Sequence, residues 1–596
     1  MNRGFVVKSA KLWKSGCDQF LGIISSDRNR IVRITRACLF LTVLSLASTA
    51  AVYADSDVVM SALVDEMSRS ISELRVDQHK PPYFVSYAVK DVDEIVFSSI
   101  LGSKPIVNKA HDRVLTPIIR VGDYDLDSGY HVSSHTDSIY PLPVDDNYDA
   151  IRRALWLYSD NEYKSAIRFL EWKKAYLSAN NVPDRLPDMS HEEAITSINP
   201  LRTTKSDPKW IDTVQQLSAI FKNYPSLQKS KVSFINRTIN TWYVNSEGSR
   251  VRDSVSKISL RITASAQASD GMPISDFDVF AVTNEEQLPS FDELKQRTEQ
   301  LAERVVSAQK APQAEEYCGP VLFEGQAAAQ LFSQVMAPNF CFAEDYIGEE
   351  DFRNPLKNAV GRKILPKNMT VIDDPQAKDA AGNLLYGTFK FDDEGMPAKQ
   401  LTLVDNGILK GFCQSRLPTK KNPHSNGHSV GGHGDFSILK VSCSQPSTPE
   451  QIRQQLFDLA KDAGTDYVLV VSRMYDDYQM QEYPSGQHRE RPYVTPAYSM
   501  QPGSPGFVYK LYPDGKRELV RGLEFRNISL RAFRDIQAVG DQPTAQIVEP
   551  QDSAARALVI PSYVIGELEL TPVKPDHTTL PIAPNPLEQA KTDSKK

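Results

Sequence analysis

The densest group of potential metal ligands in this sequence is a short glycine-rich stretch with three histidines. His424, His428 and His433 lie within PHSNGHSVGGHGD, which ends at Asp435. Imidazole nitrogens are good zinc ligands, and a glycine-rich loop can fold around an ion. The competing interpretation is an exposed loop with incidental histidines, which is favoured because no groups that would orient the ligands can be identified. We expect no bound metal, and name these three histidines as the candidates should one bind.

Other chemistry-bearing strings are weaker. His191 opens HEEAIT, but the sixth position is Thr196, so one imidazole stands without a partner and a helix start with acidic first-turn residues is predicted. The acidic run Asp392, Asp393 and Glu394 is typical of a polar turn. One GxSxG string, Gly427 to Gly431, lies inside the glycine-rich stretch and not between a strand and a helix, so it does not predict a nucleophile elbow.

Length and composition restrict the class of protein. The chain has 596 residues, 41% hydrophobic and 24% charged, which is typical of soluble globular proteins and enough for two domains. Its net charge is -7, and the body of the chain has no long basic run. This argues against a nucleic-acid partner, so we expect a peptide or protein partner.

The first residues carry a targeting signal. Four arginines between residues 28 and 36 precede an apolar run, Ala37 to Ala51, which ends in Val52-Tyr53-Ala54. This pattern predicts a secretory signal peptide cleaved after Ala54, and hence a periplasmic or secreted protein. The alternative is an uncleaved anchor, but the run is short for a membrane-spanning helix. Nothing later in the sequence resembles a transmembrane segment, so we expect no membrane span after cleavage.

Hydrophobic periodicity predicts the elements of a first domain. Spacings of three and four indicate helices, and alternating or β-branched runs indicate strands. A turn at Asn245-Ser246-Glu247-Gly248 joins two apolar arms and predicts a hairpin. Trp156 and Trp172 are interpreted as packing residues. The predicted helices are 58–74, 147–180 (one long helix or a broken pair) and 291–309, and the predicted strands are 83–89, 94–100, 116–124 and a cluster within 232–282.

The pattern of residues changes near residue 312, where KAPQAEEYCG is interpreted as a linker. Strands broken by Asn-Gly, Asp-Gly and Pro dominate the second domain. The prediction is an α+β protein: a signal region (1–54), an N-terminal α/β domain (55–311), a β-rich C-terminal domain (312–580) and a mobile tail (581–596). Of the six cysteines, four lie beyond the signal region, so one or two disulfides are allowed, and buried free thiols are an equal alternative.

Several strings together resemble a known family. In chain order they are RVGDYDLD (120–127), VNSEGSRVR (244–252), GPVLFEGQAAAQLF (319–332), TVIDDP (370–375), FDDEGMPAKQLTLVDNGILKGF (391–412), SNGH (425–428) and DGKRELVRGLEF (514–525). With this order and spacing the chain resembles the TldD/PmbA (TldD/TldE) metallopeptidase family, in its exported branch. The resemblance implies an N-terminal α/β domain, a β-rich C-terminal domain, and dimers that enclose a chamber in which extended peptides are cut.

The resemblance also implies a zinc-binding HExxxH helix at the start of the second domain, together with a downstream cysteine ligand. With AAAQLF in register, Ser333-Gln334-Val335-Met336-Ala337-Pro338 occupies the place of that motif. Ser333 and Pro338 then replace the two histidines and Gln334 replaces the glutamate. Pro338 would also end the helix. An alternative register aligns Glu324 with the glutamate but puts Ala328 at the second histidine.

The positions of the histidines and cysteines indicate that the zinc ligands are missing, whichever register is chosen. There is no histidine between His191 and His424, and no cysteine after Cys443. The scaffold of the zinc site is therefore expected without its ligands, although zinc is implied for catalytic relatives.

Three hypotheses follow. The first is a TldE-like non-catalytic subunit or pseudopeptidase that binds unfolded or extended peptides, as a homodimer or as a heterodimer with an HExxxH-bearing relative. The second is an active peptidase whose site is rebuilt on the His424, His428 and His433 loop. The third is an envelope scaffold or binding protein that never meets a peptide substrate.

Overall fold

The computed structural model describes residues 57–76, 78–129, 138–180, 185–341, 354–475, 502–526, 528–549, 556–573, 580–583 and 585–587. Helices and strands are mixed, with sheets dominating, which confirms the predicted α+β class. The predicted signal region and most of the predicted tail lie outside the described residues, and the domain boundaries stay predictions. Within the described ranges, every helix is too short or too polar to cross a bilayer.

One seven-stranded sheet is built from the first half of the chain. Its strands are β1 (Phe84–Ser99), β2 (Ile106–Arg120), β3 (Tyr140–Pro141), β4 (Thr196–Ile198), β5 (Lys229–Asn245), β6 (Arg250–Gln267) and β7 (Pro273–Val282). The order is β3-β2-β1-β5-β6-β4, with β7 also on β6, and only β4 pairs in parallel. The predicted hairpin is confirmed as β5 and β6, joined by the turn at Asn245 to Gly248.

Two predicted strands, 83–89 and 94–100, are one continuous strand, β1. The polar residues between them stay in the sheet because β1 is paired on both sides, with β2 and with β5. Asp91 is buried there and accepts a hydrogen bond of 2.6 Å from Nε of Arg113 on β2. A buried charge is tolerated when it is paired in this way.

The helices of this half are α1 (Val58–Glu73), α2 (Tyr148–Asn180), α3 (Lys209–Ala219) and α4 (Phe291–Lys310). They match the predicted helices apart from α3, and α2 is unbroken. α4 begins at a capping serine, whose Oγ accepts from the backbone N–H of Glu293, and it packs on β6 and β7.

Two predictions in this half are wrong. Trp156 and Trp172 were expected to pack, but their exposed fractions are 48% and 42%, on the outward side of α2. No helix begins at His191. The backbone there runs extended toward β4, because the carbonyl of Ile195 accepts a hydrogen bond from Arg250 at the edge of β6.

The second half contains two further sheets and a small hairpin. The six-stranded sheet, in the order β11-β10-β9-β14-β21-β20, consists of β9 (Met369–Asp373), β10 (Leu401–Asp405), β11 (Ile408–Leu409), β14 (Ile438–Cys443), β20 (Thr544–Glu549) and β21 (Arg556–Ile560). The hairpin is β12 (Ser429–Val430) and β13 (His433–Gly434). The α-helices with both ends among the described residues of this half are α5 (Gly325–Leu331), α6 (Pro449–Ala463) and α7 (Leu530–Arg534).

The last sheet has seven strands, β8 (Tyr317–Phe323), β15 (Val468–Met474), β16 (Pro505–Leu511), β17 (Arg517–Val520), β18 (Leu523–Phe525), β19 (Ile536–Val539) and β22 (Tyr563–Pro572). The order is β17-β16-β15-β8-β22-β18, with β19 on β22. β8 runs straight into α5, which contacts β15 of this sheet and β20 and β21 of the six-stranded sheet. The apolar core of this half therefore surrounds α5.

Charged side chains tie the two halves together. Arg473 on β15 donates a 2.6 Å hydrogen bond to Asp278 on β7, and Arg521 forms a 2.8 Å ion pair with Asp270. Burial opposes ionisation of Asp278, but Arg473 and Arg304 outweigh it and hold the pKa of that carboxyl below its usual value. The seven-stranded sheet of the first half is thus fixed to the second half by ion pairs.

Candidate functional site

The residues expected to form a zinc-motif helix do form a helical segment, residues 325–340, which we call the 325–340 helix. It begins as α5, continues as a π-helix over Phe332–Met336 and ends as a 3-10 turn over Ala337–Phe340. Most of its side chains are buried, because small alanines allow close approach to both sheets and aromatic rings fill the remaining space. Among the latter, the ring of Phe332 packs edge-on against Phe533 at 5.6 Å between centroids.

The π-turn bears directly on the motif spacing. The backbone N–H of Ala337 donates to the carbonyl of Phe332, an i to i+5 bond. In a regular α-helix, five residues advance the chain by well over one turn, so side chains five apart diverge. The wider π-turn brings such positions closer to one face, which is what the two histidines of HExxxH require. The backbone shape suited to that motif is present here.

The side chains at the motif positions make local contacts instead. The Ser333 hydroxyl donates to the carbonyl of Gln330 at 2.9 Å, and Oε1 of Gln334 accepts from the N–H of Gly503 at 2.9 Å. Pro338 is buried at the start of the 3-10 turn. In the part of the chain that the structure describes, no trio of histidine, cysteine or acidic groups suited to a metal lies on this helix. The residues present do not fit a catalytic zinc ion.

The three candidate histidines do not converge. The His424 side chain is 65% exposed, and its Nδ1 lies 3.6 Å from Oε1 of Glu192. His433 is half-buried on β13, and burial lowers its pKa to about 4. His428 is fully buried. The rebuilt peptidase site expected under the second hypothesis would need these imidazoles around one centre, and the structure separates them.

His428 instead meets two residues that the sequence did not single out as ligands. Among the described residues, Asp373, Cys413 and His428 are the one trio whose potential metal-binding atoms all lie within 4.8 Å of one another. Nε2 of His428 lies 3.2 Å from Oδ2 of Asp373, and Sγ of Cys413 lies 3.8 Å from the same oxygen. All three side chains are fully buried. Burial first, and then the negative charge of Asp373, raise the pKa of the Cys413 thiol well above its ordinary value.

Sequence signals for this trio existed but were scattered. Asp373 lies inside the TVIDDP string, and Cys413 directly follows the string that ends at Phe412. Both strings are typical of the family, and neither has the spacing of metal ligands. The trio forms only in three dimensions, because β9 ends at Asp373 while the 413–435 segment folds over that strand end.

The acidic turn that precedes this segment is more than a polar turn. The turn itself is present, with the N–H of Gly395 donating to the carbonyl of Asp392, but Asp392 and Glu394 are buried. Oδ2 of Asp392 accepts from the N–H of Ser429, and Oδ2 of Asp393 accepts from the N–H of Gly431. Burial, followed by repulsion from Glu394, raises the pKa of Asp392 well above its usual range. The predicted polar turn is therefore present, and two of its three acids are buried.

Gly431 and Gly432 explain the tightness of the β12–β13 hairpin. Both have positive φ, 55° and 79°, which is the conformation required at the two central positions of a type I′ turn. The hairpin and the acidic turn together hold His428 in its buried position.

A buried ion pair fixes the other end of the 413–435 segment. Both terminal nitrogens of Arg416 contact the carboxylate of Glu247, at 2.6 Å and 2.7 Å, and the Arg416 side chain is 1% exposed. The Arg416 backbone N–H also donates to Glu394 at 2.8 Å. Glu247 lies in the β5–β6 turn, so the VNSEGSRVR string of the first half holds the segment in place.

Two family models match the chain in succession. The PmbA/TldA metallopeptidase central domain matches residues 186–308, and the PmbA/TldA metallopeptidase C-terminal domain matches residues 315–477. The chain belongs to the TldD/PmbA metallopeptidase family. Membership in the family confirms that part of the resemblance drawn from the sequence strings, while the exported branch stays a prediction, and the family's metallopeptidase character is consistent with peptide processing.

Individual relatives agree with the TldD/PmbA assignment. A metalloprotease from Methanothermobacter thermautotrophicus is 26% identical over 214 residues, which is 35% of this chain and 44% of the relative. A metalloprotease from Archaeoglobus fulgidus is 30% identical over 107 residues, 18% of this chain and 24% of the relative. The chain thus spans less than half the length of these relatives.

Solved structures extend the TldD/PmbA similarity to the fold of most of the chain. TldE from Thermococcus kodakarensis has a TM-score of 0.53 and 15% identity, and the match covers 86% of this chain and all of TldE (100%). A protein from Thermotoga maritima described as a modulator of a DNA gyrase has a TM-score of 0.53 and 15% identity, covering 82% of this chain and 96% of that protein. At this identity the likeness shows the fold alone.

Proposed function

We propose that this chain is an exported, TldE-like member of the TldD/PmbA family that binds extended peptides without cutting them and pairs with a relative that carries zinc. The observation that carries the proposal is the 325–340 helix. It keeps the π-turn suited to an HExxxH spacing while Ser333, Gln334 and Pro338 occupy the motif positions. A serine hydroxyl, an amide and a proline ring cannot replace two imidazoles and a carboxylate.

The structural elements around the zinc-motif positions are present although the zinc ligands are missing. The 325–340 helix stays packed between two sheets, and β20 lies against α5 at the edge of the six-stranded sheet. An extended peptide can add to such an edge through main-chain hydrogen bonds, which tolerate varied side chains. β20 supports the peptide-binding part of the proposal because it is a terminal strand in the described sheet order and its first residues are exposed.

Export rests on the sequence alone, on the arginines before residue 37 and the apolar run that ends before Asp55. The proposed pairing with a zinc-bearing relative rests on the missing zinc ligands of this chain. A peptide-binding chain without a catalytic zinc ion contributes to proteolysis when a partner supplies that ion.

The decisive experiment joins native mass spectrometry with a cleavage assay on the chain purified from its own host. We expect a second, different subunit, and we expect peptide cleavage only while that subunit is present and zinc-loaded. The isolated chain should leave unfolded peptides intact with or without a chelator. Chelator-sensitive cleavage by the isolated chain would refute the non-catalytic assignment.

Peptide binding is tested separately by hydrogen exchange. Addition of an unfolded peptide should slow exchange at residues 544–549 of β20. Exchange in β11, at the opposite edge of the same sheet, provides the control and should stay unchanged. If neither edge is protected and no affinity for peptides is measured, the chain is a scaffold and the peptide-binding part fails.

A further inference from the structure

We propose that Asp373, Cys413 and His428 form a closed binding site for a borderline-soft divalent cation, with Zn²⁺ as the best-suited ion. The thiolate, imidazole and carboxylate are the three side-chain types that zinc uses in proteins. They are contributed by three separate parts of the chain, the end of β9, the residue after Phe412 and the glycine-rich loop, and they meet in a fully buried position. The site is distinct from the HExxxH position on the 325–340 helix.

The hydrogen bonds of His428 argue for a cation. Its Nδ1 lies 3.0 Å from the carbonyl oxygen of Asn426, which can only accept, so Nδ1 carries the proton. In the neutral ring, Nε2 then presents a lone pair. That nitrogen is buried, has no hydrogen-bond partner and faces Oδ2 of Asp373 at 3.2 Å. A metal cation bound by both Nε2 and Oδ2 would satisfy both atoms.

The hydrogen bond from Nδ1 of His428 to the carbonyl of Asn426 is of the kind that usually orients a zinc-bound histidine. Metal-ligating imidazoles commonly donate their second N–H to a carbonyl or carboxylate, which fixes the tautomer and the ring plane. Asp373 is oriented likewise. Its Oδ1 accepts from the N–H of Ile438 at 2.8 Å and from the hydroxyl of Ser437 at 3.1 Å. Both ligands are thus held by backbone groups, and Asp373 also by the hydroxyl of Ser437.

The spacing of the ligand atoms suits a tetrahedral ion. Zinc bonds of about 2.0 Å to nitrogen and oxygen and about 2.3 Å to sulfur place nitrogen and oxygen about 3.3 Å apart, and sulfur and oxygen about 3.5 Å apart. The observed separations from Oδ2 of Asp373 are 3.2 Å for Nε2 of His428 and 3.8 Å for Sγ of Cys413. Small rotations of side chains complete the geometry.

A fourth ligand is within reach on the neighbouring chain segment. Cys341 follows the 325–340 helix and forms a backbone bridge with Cys413. Its Sγ lies 3.1 Å from Oδ1 of Asp435, and the adjacent backbone of Cys413 makes Cys341 the candidate for the fourth position. A shell of two thiolates, one imidazole and one carboxylate leaves no open position, as in structural rather than catalytic zinc sites.

Binding requires no redox change. The Sγ–H bond of Cys413 breaks, its proton passes to solvent, and the electron pair forms the metal–sulfur bond. Cys341 loses its proton in the same way if it joins the shell. Since the site is closed to substrate, the ion would fasten the 413–435 segment to β9 and to the end of the 325–340 helix.

Cobalt titration tests the proposal. The full chain, reduced and stripped with a chelator, is titrated with Co²⁺ and followed by absorption, because a thiolate–cobalt bond gives a charge-transfer band in the near ultraviolet. We expect one equivalent of Co²⁺ to produce this band and Zn²⁺ to abolish it. Failure of the wild-type chain to produce it would overturn the proposal whether or not any variant folds.

Matched cysteine variants locate the site. Cys413→Ser should lose at least half of the band, the part due to its own thiolate, and weaken Zn²⁺ binding by more than about 100-fold, since a ligand matters at least as much as the groups that orient it. Cys443→Ser, a half-buried cysteine on β14 outside the trio, should bind like the wild type. Equal binding by both variants would refute the assignment. A Cys341–Cys413 disulfide in the chain from its own host would also refute it, because an oxidised Cys413 offers no thiolate.

Discussion

The 325–340 helix and the 413–435 segment lie side by side and differ in what they have kept. The N–H of Cys413 donates to the carbonyl of Phe340 at 2.8 Å, so the end of the helix and the start of the segment are directly joined. The helix keeps the backbone suited to a zinc motif without its ligands. The segment holds His428 and Cys413 in irregular backbone. The family's fold therefore identifies where a catalytic zinc site would lie. Only the side chains at that place determine whether the site is present.

The two regions are also stabilised differently. The helix is held by apolar burial, in a core that includes Phe332, Met336 and Phe340. The segment is held by buried charges and hydrogen bonds, through Arg416 and Asp392. Substitutions should therefore affect the two regions through different physical terms.

The largest effect is expected where the segment is anchored. Glu247→Ala leaves the Arg416 guanidinium buried without its carboxylate, and removing one partner of a buried pair costs about 3–5 kcal/mol. Urea denaturation should show this loss in the free energy of unfolding. The control is Glu324→Ala, which removes a similar pair with Arg517, a residue 47% exposed, and should cost less than about 1 kcal/mol. Equal losses would mean that the buried pair does not anchor the segment.

An apolar change in the helix should cost less. Phe332→Leu keeps an apolar side chain but loses the edge-on contact with Phe533, so we expect about 1–2 kcal/mol. Phe291→Leu, at an exposed position on α4, should change the free energy of unfolding by less than about 0.5 kcal/mol. A near-zero effect at Phe332 would contradict the view that packing alone maintains the helix.

Much of the fold could be predicted because it depends on local signals. The 33-residue helix α2 follows from its periodicity, and the β5–β6 hairpin follows from its turn residues. The sequence predicts two strands in place of β1 because the charge of Asp91 disfavours a strand interior, and only the tertiary contact with Arg113 neutralises it. The region before β4 was assigned to a helix for the opposite reason, since its acidic residues favour a helix start and only the edge of β6 overrides them.

The candidate site was less predictable because it depends on distant residues. The absence of the zinc motif could be read from the positions of the histidines along the chain. The Asp373–Cys413–His428 trio could not, because the first two residues are 40 positions apart and lie in strings without metal-binding spacing. The π-turn was equally hidden, since no residue between Phe332 and Met336 marks it. Tertiary contacts decide both features.

Acid should distinguish the segment from the helix. Burial lowers the pKa of His433 to about 4 from an ordinary value near 6.5. Below pH 6.5 the unfolded chain takes up this proton while the folded chain resists it, so the contribution to stability is full above pH 6.5 and is lost as the pH falls toward 4. Since His433 is only half-buried, we expect wild type to lose about 1 kcal/mol more than His433→Gln between pH 7 and pH 5.

The exposed His424 supplies the control for that measurement. His424→Gln should keep the wild-type pH dependence, as determined by urea denaturation at both pH values. If His433→Gln also keeps it, burial of His433 does not make the segment acid-sensitive.

The smallest loss of stability is expected at the zinc-motif positions of the 325–340 helix. Ser333→Ala removes one hydroxyl bonded to its own helix, and should cost less than about 0.5 kcal/mol and leave peptide binding and any partner-dependent cleavage unchanged. Asn339→Ala, six residues on, removes a side chain that is 1% exposed and donates to the carbonyl of Val335 at 2.8 Å, and should cost about 1–3 kcal/mol. If Ser333→Ala is tolerated better than Asn339→Ala, the motif position is part of the fold and has no catalytic role. A large loss of cleavage in Ser333→Ala would show instead that the helix still acts in the reaction.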